Sequence, residues 1–331
     1  MATLMAEEFI SAIDEGLDFI PIHISSLRLD SFTGFDLYLQ VRPEEPAVLY
    51  AEHNVIFSET ALRRLEENQI ECLYINANQV AQYRRYLEDN LTEIVSDPAI
   101  HIADRTDILH MSAQGLVKDI LEDPGLEKGV ERSKEVIQST VTFILTQRSA
   151  LTQLIQAASI DYFTYTHSVN GAVYAIALAQ RAGYSDEPIL RDFGSGMLLR
   201  DVGMSQIDES ITESRGKLNR TQFEIVKQHP ILGEEMLREL GGLSNLALGV
   251  VRHHHEKLNG SGYPDGLRGR KINNLVRIAS IADIFDALST KRPHRRARKS
   301  YDALRLMHDD MAKELDLDLL RVFIDVMGNP G

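Results

Sequence analysis

Apolar residues come in short or alternating runs over the first hundred positions, and that pattern then stops. Phe19-Ile20-Pro21-Ile22-His23-Ile24, Phe35-Asp36-Leu37-Tyr38-Leu39, Ala47-Val48-Leu49-Tyr50 and Cys72-Leu73-Tyr74-Ile75 are bounded by Gly, Pro and Asp, and each predicts a strand. Ser58 stands at an N-cap position ahead of Ala61, Leu62 and Leu65, which share one helical face. Val80, Tyr83, Leu87, Leu91 and Ile94 recur at helical spacing and predict one further helix. After Pro98 the period becomes helical. Leu109, Leu116, Ile120 and Leu121 form a face that ends at Pro124-Gly125, and Val130, Ile137, Val141, Ile144 and Leu145 form another. From Leu151 onward helix follows helix. The expected fold class is an α+β N-terminal domain followed by an all-α helical bundle. The expected divisions are a small α/β domain at 1–97, a helical linker at 98–139 and the bundle at 140–331.

The small domain carries no nucleophile, metal-ligand spacing or phosphate loop, so a regulatory or dimerising role is expected of it. The linker reads equally well as a signal-transmitting helical pair or as plain bundle structure. The chain has 331 residues, 44% hydrophobic and 25% charged, which suits a soluble globular protein. Its net charge of −14 argues against nucleic-acid backbones and anionic membranes as partners, so no DNA is expected. The single cysteine, Cys72, excludes an intrachain disulfide and a thiolate metal cluster, and a reducing cytoplasm is the expected location. No apolar run is long enough for a membrane span, and no secretion signal opens the chain.

Seven of the eleven histidines fall after residue 150. A lone histidine is usually solvated or a satisfied core residue, but these keep informative company. His167 lies within a predicted helix. Asp201 follows the apolar Met197-Leu198-Leu199. His229 precedes Pro230, and His254-His255-Glu256 precede a glycine-rich loop, 260–266. Asp283 and Asp286 lie on the apolar helix Ile278–Ala287. A buried carboxylate on such a helix is costly unless it meets a cation or a donor. Imidazole with carboxylate suits Fe, Mn, Zn or Ni.

His254-His255-Glu256 with Gly260-Ser261-Gly262-Tyr263-Pro264-Asp265-Gly266-Leu267-Arg268-Gly269 closely resembles the signature of the HD-GYP family. Ile281–Leu288 followed by Arg292-Pro293, Tyr165-Thr166-His167-Ser168 and Lys227-Gln228-His229-Pro230 extend the likeness. The resemblance covers about 140–325 and implies a bacterial, metal-dependent, HD-superfamily helical bundle that hydrolyses cyclic di-GMP. Carried over by position, one metal is expected on Asp201, His229, His254 and His255. Its neighbour is expected on His167, Asp201, Asp283 and a histidine next to Asp201. Fe or Mn are expected foremost, with Zn or Ni also admitted.

That last histidine is missing. Arg200 stands in its place beside Asp201, and Met204 replaces a family lysine. A second family lysine is Ser214 here, and the tyrosine after Arg-Pro is His294. Phe163 takes the place of a glutamate found in some members, so a third metal is not expected. Guanidinium has no lone pair to give. At about 4 Å from a divalent ion it is opposed by roughly 8 kcal/mol at an effective dielectric of about 20. Either Arg200 swings aside and leaves a weakened second metal, or it takes that metal's place and pairs with Asp201 and Asp283. A surface arginine tolerated by drift is the bland alternative.

Asp201 and Arg200 are thus the expected catalytic-centre residues. Lys291, Arg292 and Arg295, in a basic run, read either as dinucleotide-phosphate contacts or as a solvated helix end. Tyr263 and Pro264 read as partner contacts or as a buried anchor. Three functions stay open: a cyclic di-GMP phosphodiesterase with weak activity, a degenerate metal- and nucleotide-binding sensor, and a scaffold recruiting diguanylate cyclases (GGDEF proteins). A homodimer is among the expected assemblies.

Overall fold

The computed structural model describes residues 9–328 apart from 10, 14, 41–45, 124, 126–127, 148, 158–163, 213–217 and 291–296. It falls into two compact units, Met1–Ser112 and Ala113–Gly331.

In the first unit, β1 (Phe19–His23), β2 (Ser31–Phe32), β3 (Leu37–Leu39), β4 (Val48–Ala51) and β5 (Ile56–Phe57) precede α1 (Glu59–Glu67) and β6 (Cys72–Asn76). Two short helices, α2 (Val80–Asp89) and α3 (Leu91–Ser96), come next. The main sheet is antiparallel, in the order β1-β6-β3-β4. The register pairs Ile20 with Ile75 and Ile22 with Leu73, and all four side chains are buried on one face, as a two-residue period demands. The expected strands and the Ser58 cap are present: the Ser58 hydroxyl accepts from the Ala61 amide at 3.2 Å. Phe35 meets the edges of Tyr83 and Tyr86, each with ring centres 5.4 Å away.

Two features depart from the sequence expectation. The pair β2–β5 is only two residues long on each side, too short for alternation to reveal. The single helix expected through Val80 and Ile94 breaks at Asn90. Its side-chain amide donates to the Tyr86 carbonyl at 2.7 Å, as does its backbone N–H at 3.2 Å, and this closes α2.

Beyond α3, Arg28 Nη1 donates to Asp97 Oδ2 at 2.9 Å, and Asp97 Oδ1 accepts from the Ala99 amide. The Arg28 bond, then the Ala99 amide, hold the Asp97 carboxyl below its usual range. A depressed folded pKa stabilises above the unfolded value of about 3.9 and is lost as pH falls through the folded one. Asp97→Asn is therefore expected to cost about 1 kcal/mol at pH 7. The gap to the parent chain should close in acid, as read by urea unfolding across pH; a pH-independent gap would contradict it.

Helix α4 (Ile102–Glu122) runs through the division between the units. The second unit continues with α5 (Gly129–Thr146), α6 (Ala150–Ala157), α7 (Thr164–Arg181), α8 (Glu187–Leu199), α9 (Glu209–Thr212) and α10 (Arg220–Val226). It ends with α11 (His229–Leu240), α12 (Asn245–His253), α13 (Asn274–Ser289), α14 (Ser300–Asp310) and α15 (Leu317–Gly328). This is the expected helical bundle. Helix α8 begins at Asp186, whose carboxylate accepts from the Ile189 amide, with Pro188 in the first turn. From Phe193 to Leu199 every residue of α8 is buried, packed among α5, α7 and α12. Tyr174, Phe285 and Phe323 join α7, α13 and α15 through edge-on ring contacts. Just after α8, Gly203 allows a very close approach: a Cβ there would lie 2.1 Å from the His229 carbonyl oxygen. That contact sets the start of α11 beside the end of α8. Among the described residues, no helix is long and apolar enough to cross a membrane.

Candidate metal centre

Five segments deliver the site. Helix α7 brings His167, the end of α8 brings Arg200 and Asp201, the start of α11 brings His229, the end of α12 brings His254 and His255, and α13 brings Asp283 and Asp286. Two donor groups result: Asp201 with His229, His254 and His255, and His167 with Asp201 and Asp283. Within each group the donor atoms lie within 4.8 Å of one another.

The first group is built for a cation. His229 Nδ1 donates to the Val226 carbonyl and His254 Nδ1 to the Val251 carbonyl, both at 2.8 Å. Each bond fixes the tautomer and leaves Nε2 with a bare lone pair. Those two Nε2 atoms face each other at 3.3 Å, while Asp201 Oδ1 lies 3.5 Å from one and 3.8 Å from the other. Burial, foremost, pulls the His254 pKa down to about 4, which favours the neutral form of that ring at neutral pH. His255, its ring centre 4.1 Å from that of His254, is likewise pushed well below its usual value by burial and then by His254. Imidazoles converging with a carboxylate fit a transition-metal ion.

The second group is already supplied with protons. His167 Nδ1 lies 2.6 Å from Asp286 Oδ2, and Nε2 lies 3.0 Å from Asp283 Oδ1 and 3.8 Å from Asp201 Oδ2. Burial and the Arg200 charge push the His167 pKa down, but the bonds to Asp283 and Asp286 together with the nearby carboxylate charge prevail and raise it to about 9. Asp286 is itself held by Asn170 at 3.0 Å and Thr290 at 3.1 Å. Arg200 is fully buried, so the surface alternative does not apply. Its Nε donates to Asp283 Oδ1 at 3.0 Å and lies 3.4 Å from Asp201 Oδ2. Burial raises the Asp201 pKa, but the Arg200 charge together with His167, His254 and His229 outweighs it and holds the carboxyl well below its usual range. Asp201 Oδ2 is buried without a hydrogen-bond partner among the described residues. A second divalent ion does not fit beside this guanidinium.

The glycine-rich loop packs over the first group. The Tyr263 ring lies 4.7 Å from that of His255, and Lys227 Nζ stands 6.0 Å from the Tyr263 ring centre. Buried Glu256 holds the loop by accepting from the Asp265 amide at 2.7 Å and the Leu267 amide at 2.9 Å. His253 turns away, its Nε2 2.9 Å from Asp265 Oδ2. Pro264 follows Tyr263 in the same loop. Lys291, Arg292 and Arg295 lie outside the described residues, as do Phe163, Ser214 and His294. Sequence reasoning missed Asn170 and the orienting role of Asp286. The available signal was their spacing, three residues after His167 and three after Asp283, which places each about one helical turn away.

The HD domain family model matches residues 149–319. A cyclic di-GMP phosphodiesterase of Pseudomonas aeruginosa is 27% identical over 82% of this chain and 68% of its own length. A 3'3'-cGAMP-specific phosphodiesterase of Vibrio cholerae is 35% identical over 46% of this chain, which spans only 33% of that relative. A cyclic di-GMP phosphodiesterase response regulator of Xanthomonas campestris is 34% identical over 42% of this chain and 37% of its own length. The solved structure of an HDG"Y"P protein from Bdellovibrio bacteriovorus shares the fold, with a TM-score of 0.64 at 24% identity over 94% of this chain and 100% of that one.

Proposed function

The chain belongs to the HD-domain family, and from that premise we propose that its helical unit is a metal-dependent phosphohydrolase of cyclic di-GMP or a related cyclic dinucleotide, with weakened turnover. The carrying observation is the convergence of the His229 and His254 Nε2 atoms, 3.3 Å apart, beside Asp201 Oδ1, with each ring's Nδ1 turned to a backbone carbonyl. The phosphodiesterase names of the relatives support the substrate class. Fe or Mn is the proposed ion, and the ligand types also accept Zn or Ni. When bound, such an ion supplies Lewis acidity toward phosphoryl oxygens and water. The protein's own groups orient the rest. Asp201 turns one oxygen to the imidazoles and the other toward His167 and Arg200. Tyr263 covers one face of His255.

The basic run with Lys291, Arg292 and Arg295 is proposed to meet the dinucleotide phosphates, compensating for the lysines replaced by Met204 and Ser214. The loop at Tyr263 and Pro264 is proposed as the docking point for a partner such as a diguanylate cyclase. The small sheet-bearing domain, in this reading, regulates or dimerises a cytoplasmic protein.

Buried Arg200 favours a second reading, a sensor that binds the dinucleotide without turning it over. The purified chain, loaded with Mn or Fe, is to be given cyclic di-GMP, with products followed by chromatography and binding by calorimetry. Linear dinucleotide or GMP supports the enzyme, and binding without product supports the sensor. Neither outcome would remove both readings and leave the scaffold.

A further inference from the structure

We propose that Arg200 is the permanent substitute for a second metal ion, so that the centre takes one ion per chain, and the guanidinium supplies the other positive charge. This rests on the reading of Asp201, His229, His254 and His255 as ligands of the first ion.

The contrast between the two donor groups carries the inference. At the first, the His229 and His254 Nε2 atoms lie 3.3 Å apart beside Asp201 Oδ1, each ring's Nδ1 being turned to a backbone carbonyl. At the second, Asp283 Oδ1 already meets Arg200 Nε and His167 Nε2, both at 3.0 Å, and no cation is needed to reconcile them. Arg200 Nε also lies 3.4 Å from Asp201 Oδ2, so it addresses the same two carboxylates that a second ion would use.

Both Nη atoms of the guanidinium are engaged elsewhere. Nη1 donates to the Met197 carbonyl at 2.8 Å and the Ser168 carbonyl at 3.2 Å, and Nη2 to the His167 carbonyl at 2.9 Å. The side chain is fully buried, and leaving this seat would strand a charge in the core. The seat itself is shaped for the guanidinium. A Cβ at Gly171 on α7 would lie 2.6 Å from Nη2 and 2.8 Å from both Cζ and Nη1. Gly171 thus leaves open the space in which the guanidinium lies. Arg200 acts as a positioning residue: its charge orients Asp201, whose other oxygen faces the imidazoles.

The test uses the full chain, stripped with a chelator and dialysed against Mn(II) alone. Metal per chain is measured by plasma mass spectrometry, and coupling between ions by electron paramagnetic resonance. The parent chain is expected to hold one uncoupled ion. Arg200→His, which restores a ligand, is expected to hold two coupled ions. Two coupled ions in the parent chain would overturn this proposal alone. No bound ion at all would remove the metal-centre reading, and this proposal with it. Gly171→Ala gives an independent check by thermal melting. It should lower the melting temperature clearly in the parent and much less in the Arg200→His background; equal losses in both would overturn the fixed seat.

Discussion

Arg200→Met is expected to lower stability by about 3–5 kcal/mol in metal-free buffer at neutral pH, the cost of breaking a buried ion pair from one side. Volume is nearly conserved, so the loss reports charge and hydrogen bonding rather than a cavity. Asp201 and Asp283 would remain buried and close together, with His167 as an adjacent counter-charge. Arg200→Lys should recover only part of the loss. The guanidinium reaches Asp283 with Nε and three backbone carbonyls with its two Nη atoms, and a single ammonium cannot span that fork. Adding Asp283→Asn to Arg200→Met should restore about 1–3 kcal/mol, because neighbouring charges couple. Urea unfolding with chelator present measures all three variants. An Arg200→Met chain within about 0.5 kcal/mol of the parent, the range of an ordinary surface change, would show that the guanidinium is not seated among the carboxylates.

The direction taken by Arg200 illustrates what one chain's sequence conceals. Its chemistry was readable, because a protonated guanidinium cannot ligate a metal. Which way it turned depended on Gly171, a neighbour in space on another helix, and on carbonyls that no side-chain pattern encodes. The same limit hid the bond between His167 and Asp286, which are 119 positions apart. Local patterns fared better where they were long. The alternation in β1 and β6 and the helical period beyond Pro98 correspond to the observed elements. They failed where a single side chain overrode the period, as Asn90 does between α2 and α3. The histidines and aspartates that converge were recognisable from motif likeness. The lone-pair confrontation of His229 with His254 required knowing which carbonyl each Nδ1 had found.

That confrontation leads to the second large effect. Mn(II) added to the stripped chain at about one hundred times its dissociation constant should stabilise it by about 2.7 kcal/mol. His254→Ala should cut that increment to about 0.4 kcal/mol or less, by weakening metal binding at least about 100-fold. The variant has an unusual companion expectation. Removing a buried side chain normally destabilises, but in the metal-free chain His254 Nε2 crowds His229 Nε2 at 3.3 Å. Deleting it relieves a repulsion that only an ion or a proton can otherwise remove, and burial opposes the proton. His254→Ala should therefore be close to the parent without metal and well below it with metal. His253→Ala is the control, since that ring faces Asp265 rather than the centre. It should keep the full increment. Thermal melting with and without Mn(II) separates the cases. If His254→Ala gained as much from the ion as the parent does, the ion would be bound elsewhere, and the convergence of imidazoles on Asp201 would need a different cause.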